Sequence, residues 1–388
     1  MRPEQTTGEL LKRLALPAAF VALLFWALWD RAEPRGDDGG EVAEDAGTAG
    51  DSAVGEGDGG VSDASTGADD AGAGFERRGE TMGTTFHVKV VGNADADAVD
   101  QAIATTLAEI DALMSTWRPD SELSRLNASG TEPFPVSKPT AEVLRLAGSI
   151  HAATGGAFDV TVGPLVRRWG FGPDGAQAAP SEDEIAALVG RVGFDKLVLD
   201  GATVRKERAD VDVDLSAIAK GYGVDRVAEA VDAVDGVDAV MVEIGGEVRV
   251  IGLNGARPWR LAIERPDAQR RAVHSVVELQ SGALATSGDY RRFLDEDGAR
   301  RTHVVDPRTG RPVEHGVASA SVLAPDCATA DAWATALMVL PPDEGLAIVR
   351  ETDGLQAMVI VRGAEGMDVL TTDGFEAALV GGEGRGRP

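Results

Sequence analysis

The stretch VDVDLSAIAKGYGVD, residues 211–225, carries the clearest structural signal in the chain. Valine and aspartate alternate over Val211–Leu215, which predicts a β-strand, and the residues from Gly223 to Val234 predict a helix. Small residues and Lys220 lie between these two elements. Because a helix N-terminus presents unpaired N–H groups and a partial positive charge, the turn is a candidate phosphate site. An ordinary strand-to-helix turn with Ser216 as its cap fits the same residues.

Outward from this segment, short strands occur in runs with helices between them. Helical spacing of apolar residues, or a capping-box pattern in one case, predicts the helices Val99–Leu113, Ala141–Ala153, Ser181–Val189 and Ala328–Val339. Alternation and β-branched residues predict the strands Phe86–Val91, Ala239–Ile244, Glu247–Ile251, Arg260–Glu264, His274–Leu279, His303–Val305, Ser319–Leu323, Ala357–Val361 and Asp368–Thr371. This pattern indicates an α+β fold with mixed β-sheets and flanking helices.

The N-terminus differs in character from the rest of the chain. Residues 14–29 read LALPAAFVALLFWALW, a run of apolar residues that follows Lys12 and Arg13. Its length lies between a signal-peptide core and the roughly 20 residues that span a bilayer. The basic flank predicts an N-terminus left in the cytoplasm and an exported remainder. Because no small-residue cleavage site follows Trp29, we predict a signal anchor over residues 1–30, with a cleaved signal peptide and a buried soluble helix as alternatives.

The acidity of the chain is concentrated in one stretch. The full chain has a net charge of −27, of which residues 30–74 contribute −11. Residues 31–74 contain no Phe, Tyr, Trp, Leu or Ile, so they cannot bury enough apolar surface to offset the entropy of ordering. We predict a flexible acidic linker at 31–74, one folded domain at 75–375 and a flexible Gly-rich tail at 376–388.

Composition and motifs exclude several functional classes. A net charge this negative argues against DNA or RNA as the main partner, because phosphate backbones are bound by clustered Lys and Arg. The single cysteine, Cys327, excludes an intramolecular disulfide and a cysteine-rich zinc site, and we expect it to serve packing. The five histidines form no metal motif, and the sequence lacks a P-loop, an HExxH motif and a GxSxG motif.

Two further clusters carry groups that suit phosphate chemistry. Asp331 and Thr335 share one face of a predicted helix, where a carboxylate and a hydroxyl could hold a hard cation such as Mg²⁺. Alternatively, Asp331 complements the dipole of that helix. In the segment HVVDPRTG, residues 303–310, His303 ends a predicted strand and could act as a general base or a phosphate contact. A solvent-facing strand histidine is the alternative.

Taken together, these clusters resemble those of the FAD:protein FMN transferases, the ApbE-type flavin transferases. The resemblance extends over residues 75–375 and implies an ApbE-like, T-fold-like single catalytic unit. It rests on eight blocks in the order found in the family: TMGT (81–84), MSTWRPDSELSRLN (114–127), GGAFDVTVGPLVRRWGFG (155–172), DLSAIAKGYGVD (214–225), EIGGEVRVIG (243–252), ATSGDYRRF (285–293), HVVDPRTGRP (303–312) and CATADAWATALMVL (327–340).

The resemblance also implies roles for individual residues. The flavin and adenine parts of an FAD site would be lined by Met82, Trp117, Ala157, Phe158 and Asp159. Further contacts to FAD would come from Asp214, from Lys220 and, beside the pyrophosphate, from His303. The backbone carbonyl of Ala217 would hold Mg²⁺ together with Asp331 and Thr335. Trp117 stands where the family often has tyrosine, and either ring can stack on a planar group.

A reaction follows from the same resemblance. The FMN moiety of FAD would pass to a Ser or Thr hydroxyl of an acceptor protein with release of AMP, and His303 or Asp306 would accept the hydroxyl proton. An FAD pyrophosphatase of the same fold and a membrane-tethered flavin-binding module are the alternatives. The segment Ser281-Gly-Ala-Leu284 resembles an acceptor sequence, but Leu284 has no hydroxyl. We therefore expect the acceptor to be another chain, such as a subunit of a membrane redox complex.

Members of this family are often exported and membrane-tethered, frequently as lipoproteins. This sequence has no cysteine for lipidation after its apolar segment, so we expect the segment itself to be the anchor. The expected location is the bacterial inner membrane, with the N-terminus cytoplasmic and the catalytic domain periplasmic or otherwise extracytoplasmic. Because residues 75–388 carry a net charge of −17 and FAD is a polyanion, we expect FAD binding to depend on a divalent cation.

Overall fold

The computed structural model describes residues 74–171, 175, 178–267, 270, 272–289, 293–296, 299–363 and 366–380. The predicted anchor, the predicted linker up to residue 73 and residues 381–388 lie outside this part of the chain, so the predictions made for them stay predictions. Among the described residues, no helix combines the length and the apolar character needed to cross a membrane.

Strands make up a large part of the described residues. They are β1 (Gly74–Thr81), β2 (Thr84–Gly92), β3 (Phe134–Pro135), β4 (Leu197–Asp200), β5 (Thr203–Lys206), β6 (Val237–Ile244), β7 (Glu247–Ile251), β8 (Trp259–Glu264), β9 (Val273–Leu279), β10 (Gly282–Gly288), β11 (Phe293–Glu296), β12 (Ala299–Thr302), β13 (Val305–Asp306), β14 (Arg311–Pro312), β15 (Val317–Ala324), β16 (Gln356–Gly363) and β17 (Gly366–Thr371). Eight of them form one antiparallel sheet in the order β1-β2-β6-β7-β10-β15-β16-β17. The sheet β3-β5-β4 and the pairs β8-β9, β11-β12 and β13-β14 account for the others.

Helices alternate with these strands along the chain. They are α1 (Ala96–Met114), α2 (Glu122–Ala128), α3 (Lys138–Ala153), α4 (Gly163–Val166), α5 (Glu182–Val189), α6 (Ala219–Asp232), α7 (Cys327–Val339), α8 (Pro342–Glu351) and α9 (Asp373–Ala378). Irregular helical turns occur at Arg167–Phe171 and Phe194–Lys196.

The large sheet is covered on both faces. On β6, Val240, Val242 and Ile244 join the core that α1, α3, α6 and α7 form on one face. The alternating residues Ala239 and Met241 pack instead with the β8–β9 hairpin and α9 on the other face. Every residue of β15 is buried, because this strand is central and covered on both sides. The result is a three-layer α+β arrangement. Its helical layer carries α6 and the candidate phosphate site at the N-terminus of that helix.

Helices α6 and α7 approach each other closely at their first turns. A Cβ atom on Gly221 would lie 2.3 Å from the backbone carbonyl oxygen of Cys327, so only glycine permits this approach. One turn further along α6, the Asp225 carboxylate accepts hydrogen bonds from the amides of Cys327 (2.8 Å) and Ala328 (2.9 Å). Burial raises the pKa of Asp225 to about 7, against the opposing effect of these amides. These contacts fix the start of α7 on α6.

The structure confirms the α+β class and most of the predicted elements. The predicted helix at 99–113 lies within α1, the β6–β7 hairpin turns at Gly245 and Gly246, and a capping box begins α5. Helix α6 begins at Ala219, earlier than predicted, because the small residues before Gly223 continue the helix. The domain boundary predicted at residue 375 falls inside α9.

The predicted strand at Val211–Leu215 is wrong. Val211, Val213 and Leu215 are buried, so the alternation correctly reports which side chains face the core. Val213, however, exchanges two hydrogen bonds of 2.8 Å with the side-chain amide of Asn127 in place of a neighbouring strand. The Lys206 ammonium donates to the carbonyl oxygens of Asn127, Ala209 and Val211 and holds the same segment. Hydrogen bonds to side chains thus take the place of the backbone hydrogen bonds that a neighbouring strand would provide.

The predicted strand at His303–Val305 is also wrong in its start. His303 lies in a bend, and β13 begins only at Val305. The Thr302 hydroxyl accepts the amide of Val304 at 3.2 Å, and such a local side-chain bond competes with a strand ladder. Strand β10, GALATSG, was not predicted because it has few β-branched residues; its place between β7 and β15 makes it a strand.

Replacing Gly221 with alanine should lower the free energy of unfolding by about 1–3 kcal/mol, the usual cost of overpacking. Alanine gains up to about 1 kcal/mol in helix propensity, but the new Cβ would meet a backbone carbonyl that cannot move aside. Gly223→Ala in the same helix is the matched control, because its Cβ would meet only the flexible end of Met82. Urea titrations of both variants measure the difference, and equal losses would contradict the close approach at Gly221.

Candidate active site

Lys220 lies in the first turn of α6 between two buried carboxylates. Its Nζ is 2.6 Å from Oε1 of Glu247, at the start of β7, and 3.8 Å from Oδ1 of Asp331 on α7. Burial alone would lower the pKa of Lys220, but the charges of Asp331 and Glu247 outweigh it and raise the pKa above its ordinary value. Lys220 is therefore a fixed positive charge where α6, α7 and the β6–β7 hairpin meet.

Asp331 also caps α6 from the neighbouring helix. Its Oδ2 accepts a hydrogen bond of 3.0 Å from the amide of Gly221. The residue that precedes α6 is Ile218, which provides no side-chain cap, and the hydroxyl of Ser216 donates instead to Asp214 Oδ1 at 2.5 Å. The alternative in which Ser216 caps the helix is thus wrong. One of the amides at the N-terminus of α6 is already satisfied by Asp331.

Thr335 lies one helical turn after Asp331 on α7, as the sequence predicted. Its hydroxyl oxygen is 3.4 Å from that of Ser287 on β10. Together with the carbonyl of Ala217, just before α6, these groups are oxygen donors of the kind that Mg²⁺ prefers. Asp331 and Glu247 are 2% and 3% exposed, and with the partly exposed Lys220 they form a cluster whose formal charge is negative. The residues present therefore fit a hard divalent cation.

A cation at this position would depend on few protein charges. Among the described residues, no group of three or more His, Cys, Asp or Glu side chains could hold a metal ion. Asp331 would thus supply the only carboxylate of the predicted set, with neutral oxygens from Ala217 and Thr335. Because Mg²⁺ usually keeps several waters or substrate oxygens in its shell, such an open set suits binding together with a phosphate-bearing substrate.

His303 and Asp306 lie around the turn after β12. The His303 ring packs edge-on against Phe171, with ring centroids 6.1 Å apart. The Asp306 carboxylate accepts hydrogen bonds of 2.9 to 3.2 Å from the guanidinium and the backbone amide of Arg308. Asp306 would have to loosen this pairing before it could accept a proton from a substrate.

The residues predicted to line FAD differ in what they expose. Trp117, in the loop between α1 and α2, is 79% exposed, so its ring is open to stacking. Met82 occupies the β1–β2 turn with a φ of +50° and packs against α6 at Gly223. Ala157 and Phe158 are buried in the core, so their side chains are not exposed at the surface.

Asp159 is held by its own hydrogen bonds. Its carboxylate accepts bonds from the amide and the hydroxyl of Thr161 and from the amide of Phe194, between 2.6 and 2.9 Å. His151 Nδ1 lies 3.2 Å from Oδ2 of Asp159. Burial raises the pKa of Asp159, but hydrogen bonds from His151 and Thr161 outweigh it and hold the pKa below its ordinary value. Asp159 thus organises the turn around Phe158.

Asp214 connects the turn around Phe158 to the segment that leads into α6. Its backbone amide donates to the carbonyl of Val160 at 2.7 Å, and its Oδ1 accepts the amide of Ser216 at 2.9 Å. The structure therefore brings Asp214 next to the Asp159 turn, and it brings Lys220 next to Asp331.

Three polar residues near the site were missed from the sequence. Glu247 binds Lys220, Ser287 contacts Thr335, and Asn127 holds the segment before Asp214. Glu247 gave only a weak signal, because it is one of two charged residues in the strand EVRVI, and it is the structure that shows it almost fully buried. Such a residue needs a buried partner. Ser287 and Asn127 gave no signal apart from the fold.

A sequence model described as the ApbE family matches residues 82–359, most of the folded part of the chain. The chain belongs to the ApbE family. One relative of this ApbE chain, named FAD:protein FMN transferase, comes from Vibrio cholerae serotype O1; it is 42% identical over 307 residues, which are 78% of this chain and 91% of the relative. A relative of the same name from Escherichia coli K12 is 37% identical over 311 residues, with 78% and 88% covered.

Solved structures agree with this assignment to the ApbE family. The flavin transferase ApbE from Vibrio cholerae superposes with a TM-score of 0.72 at 40% identity and covers 79% of this chain and 99% of its own. The apo form of the flavinyl transferase ApbE from Pseudomonas stutzeri has a TM-score of 0.72 at 35% identity, with 79% and 96% covered. The fold described above is therefore the ApbE fold.

The His151–Asp159 pair should make stability depend on pH. The hydrogen bond that His151 donates to the Asp159 carboxylate raises the pKa of His151 against the effect of burial. While Asp159 is ionised, the stabilisation is complete below the ordinary histidine pKa of 6.5 and is lost as the pH rises through the raised value. His151→Gln should therefore cost about 1 kcal/mol at about pH 5.5 and less at about pH 8.

His274→Gln is a control with the opposite sign, because burial lowers the pKa of His274. That variant should be relatively more stable than the unmodified chain at the lower pH. Melting temperatures at both pH values test the pair. A loss in His151→Gln that is the same at both pH values would contradict an ionic pair with Asp159.

Proposed function

We propose that this chain transfers the FMN moiety of FAD to a Ser or Thr hydroxyl of an acceptor protein, with release of AMP. Its relatives named FAD:protein FMN transferase support the reaction class. The observation that carries the proposal is the junction of α6 and α7, where Lys220 lies 3.8 Å from the buried Asp331 carboxylate. A diphosphate requires positive charge nearby. In this acidic domain, Lys220 and a cation held by Asp331 would supply that charge at the junction of α6 and α7.

In this proposal, the carbonyl of Ala217, the Asp331 carboxylate and the Thr335 hydroxyl hold Mg²⁺. Bound there, the cation would offset the charge of the FAD diphosphate and make AMP a better leaving group. Lys220 adds a fixed charge for the same phosphates, since its raised pKa keeps it protonated. The burial of Asp331 excludes water that would otherwise weaken these interactions.

The acceptor hydroxyl attacks the FMN-side phosphorus of FAD. A bond forms between the hydroxyl oxygen and that phosphorus, while the bond from the same phosphorus to the bridging oxygen breaks. The bridging oxygen leaves with AMP and keeps the electron pair. In this proposal, His303 accepts the hydroxyl proton, since an imidazole can take up a proton near neutral pH. The product is FMN joined to the acceptor by a phosphoester.

The flavin side of FAD is assigned to the remaining predicted residues. Trp117 stacks on a planar ring of FAD, and its exposure supports this role. Met82 borders the same space at the start of α6. Ala157, Phe158 and Asp159 provide the rigid turn beneath, and Asp214 links that turn to the phosphate end.

We also propose that the apolar segment at 14–29 anchors the chain in the bacterial inner membrane. In this proposal, the catalytic domain is extracytoplasmic and the acidic linker lets it reach its acceptor. The basic flank and the composition of the linker support this arrangement. The acceptor in this proposal is an exported protein with a Ser or Thr flavinylation segment, such as a subunit of a membrane redox complex.

Full-length chain incubated with FAD, Mg²⁺ and an acceptor domain should give the acceptor the mass of FMN and release an equal amount of AMP. Asp331→Asn should reduce the rate by more than the roughly 10–100-fold typical of residues that only support a metal ligand, because it removes the only carboxylate among the three proposed cation ligands. Asparagine can still accept the Gly221 amide, so the fold is kept.

Asp326→Asn on the same helix is the matched control. Asp326 caps α7 by accepting the Thr329 amide, and asparagine caps equally well, so the transfer rate should not change. Mass spectrometry of the acceptor and chromatography of AMP measure both products. Free FMN that forms at one rate with or without acceptor would indicate a pyrophosphatase, and tight FAD binding without AMP would indicate a flavin-binding module; either result would contradict the transfer.

A further inference from the structure

Glu247 competes with Asp331 for the single ammonium group of Lys220. The distance from Nζ is 2.6 Å to Glu247 and 3.8 Å to Asp331. The shorter distance is that of a charge-assisted hydrogen bond, whereas the longer one lies beyond hydrogen-bond range. Lys220 is thus bonded to Glu247 and only adjacent to Asp331.

The position of the Glu247 carboxylate favours an interaction with Lys220. It begins β7 directly after the Gly245-Gly246 turn, where backbone pairing with Ile244 fixes its position. Its Oε2 is buried and has no hydrogen-bond partner among the described residues, and Oε1 bonds to Lys220. A buried carboxylate with only one partner is costly unless that partner serves a purpose elsewhere.

We propose that Glu247 is a positioning residue that draws Lys220 away from Asp331 and thereby keeps the Asp331 carboxylate available to a divalent cation. This inference rests on the cation site of the proposed function and adds to it a residue that contacts neither the cation nor FAD.

The physical reason is that two cations would otherwise compete for one carboxylate. The lysine side chain is long and flexible, and an ammonium that loses its hydrogen-bond partner beside a buried carboxylate turns to that carboxylate. For Lys220, that charge is Asp331 at 3.8 Å. An ammonium bonded to Asp331 would have to be displaced each time a metal ion binds, which weakens metal binding.

The test is a double-mutant cycle on the full-length chain, with Mn²⁺ as the probe and no FAD present. The signal of free Mn²⁺ in electron paramagnetic resonance gives the affinity directly. Glu247→Gln should weaken Mn²⁺ binding by roughly 10–100-fold, the usual effect of losing a residue that supports a metal ligand. Adding Lys220→Met should restore the affinity to at least that of the unmodified chain, because the competing ammonium is gone.

Glu243→Gln provides the matched control. Glu243 is equally buried in the same hairpin and accepts the amide of Gly246, which glutamine can also do, but it does not bond to Lys220. Its Mn²⁺ affinity should not change. Melting temperatures of all variants show whether each one is folded, and the Lys220→Met/Glu247→Gln chain, which buries no unpaired charge at these two positions, keeps the test valid if Glu247→Gln alone is unstable.

A crystal structure of metal-free Glu247→Gln separates repositioning of Lys220 from a simple loss of negative charge. The expected result is Lys220 Nζ within hydrogen-bond distance of Asp331. Lys220 still bonded to residue 247, an unchanged Mn²⁺ affinity in Glu247→Gln, or no recovery in the double variant would each overturn the inference. Absence of Mn²⁺ binding in the unmodified chain both without and with FAD would instead overturn the proposed cation site, while the position of Lys220 in the crystal would still judge Glu247.

Discussion

The close contact between the first turns of α6 and α7 is the constraint on which the site depends. Gly221 permits it, since any Cβ there would meet the Cys327 carbonyl at 2.3 Å. Asp225 then holds the start of α7 by two backbone amides, and Asp331 returns the interaction by accepting the Gly221 amide. Because the helices cap each other in this way, Lys220 and Asp331 are adjacent before any ligand binds.

Charge at the site follows from this packing more than from composition. The net charge of −27 describes the whole chain poorly, because residues 30–74 hold −11 of it. At the junction, one ammonium faces two carboxylates in a buried setting, where electrostatic interactions are stronger than in water. A domain of this charge can hold a diphosphate only with added positive charge, and we propose that Lys220 and a divalent cation at Asp331 supply it.

The sequence predicted those features that depend on local pattern. Helix periodicity located α1 and α7, the Gly245-Gly246 turn located a hairpin, and the spacing of Asp331 and Thr335 placed both on one helix face. The strand predicted at Val211–Leu215 was wrong because the hydrogen-bond partners of this segment are side chains distant in sequence, among them Asn127. Glu247 was missed for a similar reason, since its role arises only when the fold brings β7 to α6.

We propose that the α6–α7 junction binds a divalent cation together with the FAD diphosphate. Anomalous diffraction from crystals of the chain grown with FAD and Mn²⁺ tests it most directly. The account predicts a manganese peak at bonding distance from the Asp331 carboxylate and the Thr335 hydroxyl, in contact with diphosphate oxygens of FAD. Manganese held by other residues, or FAD bound with no metal at Asp331, would contradict it.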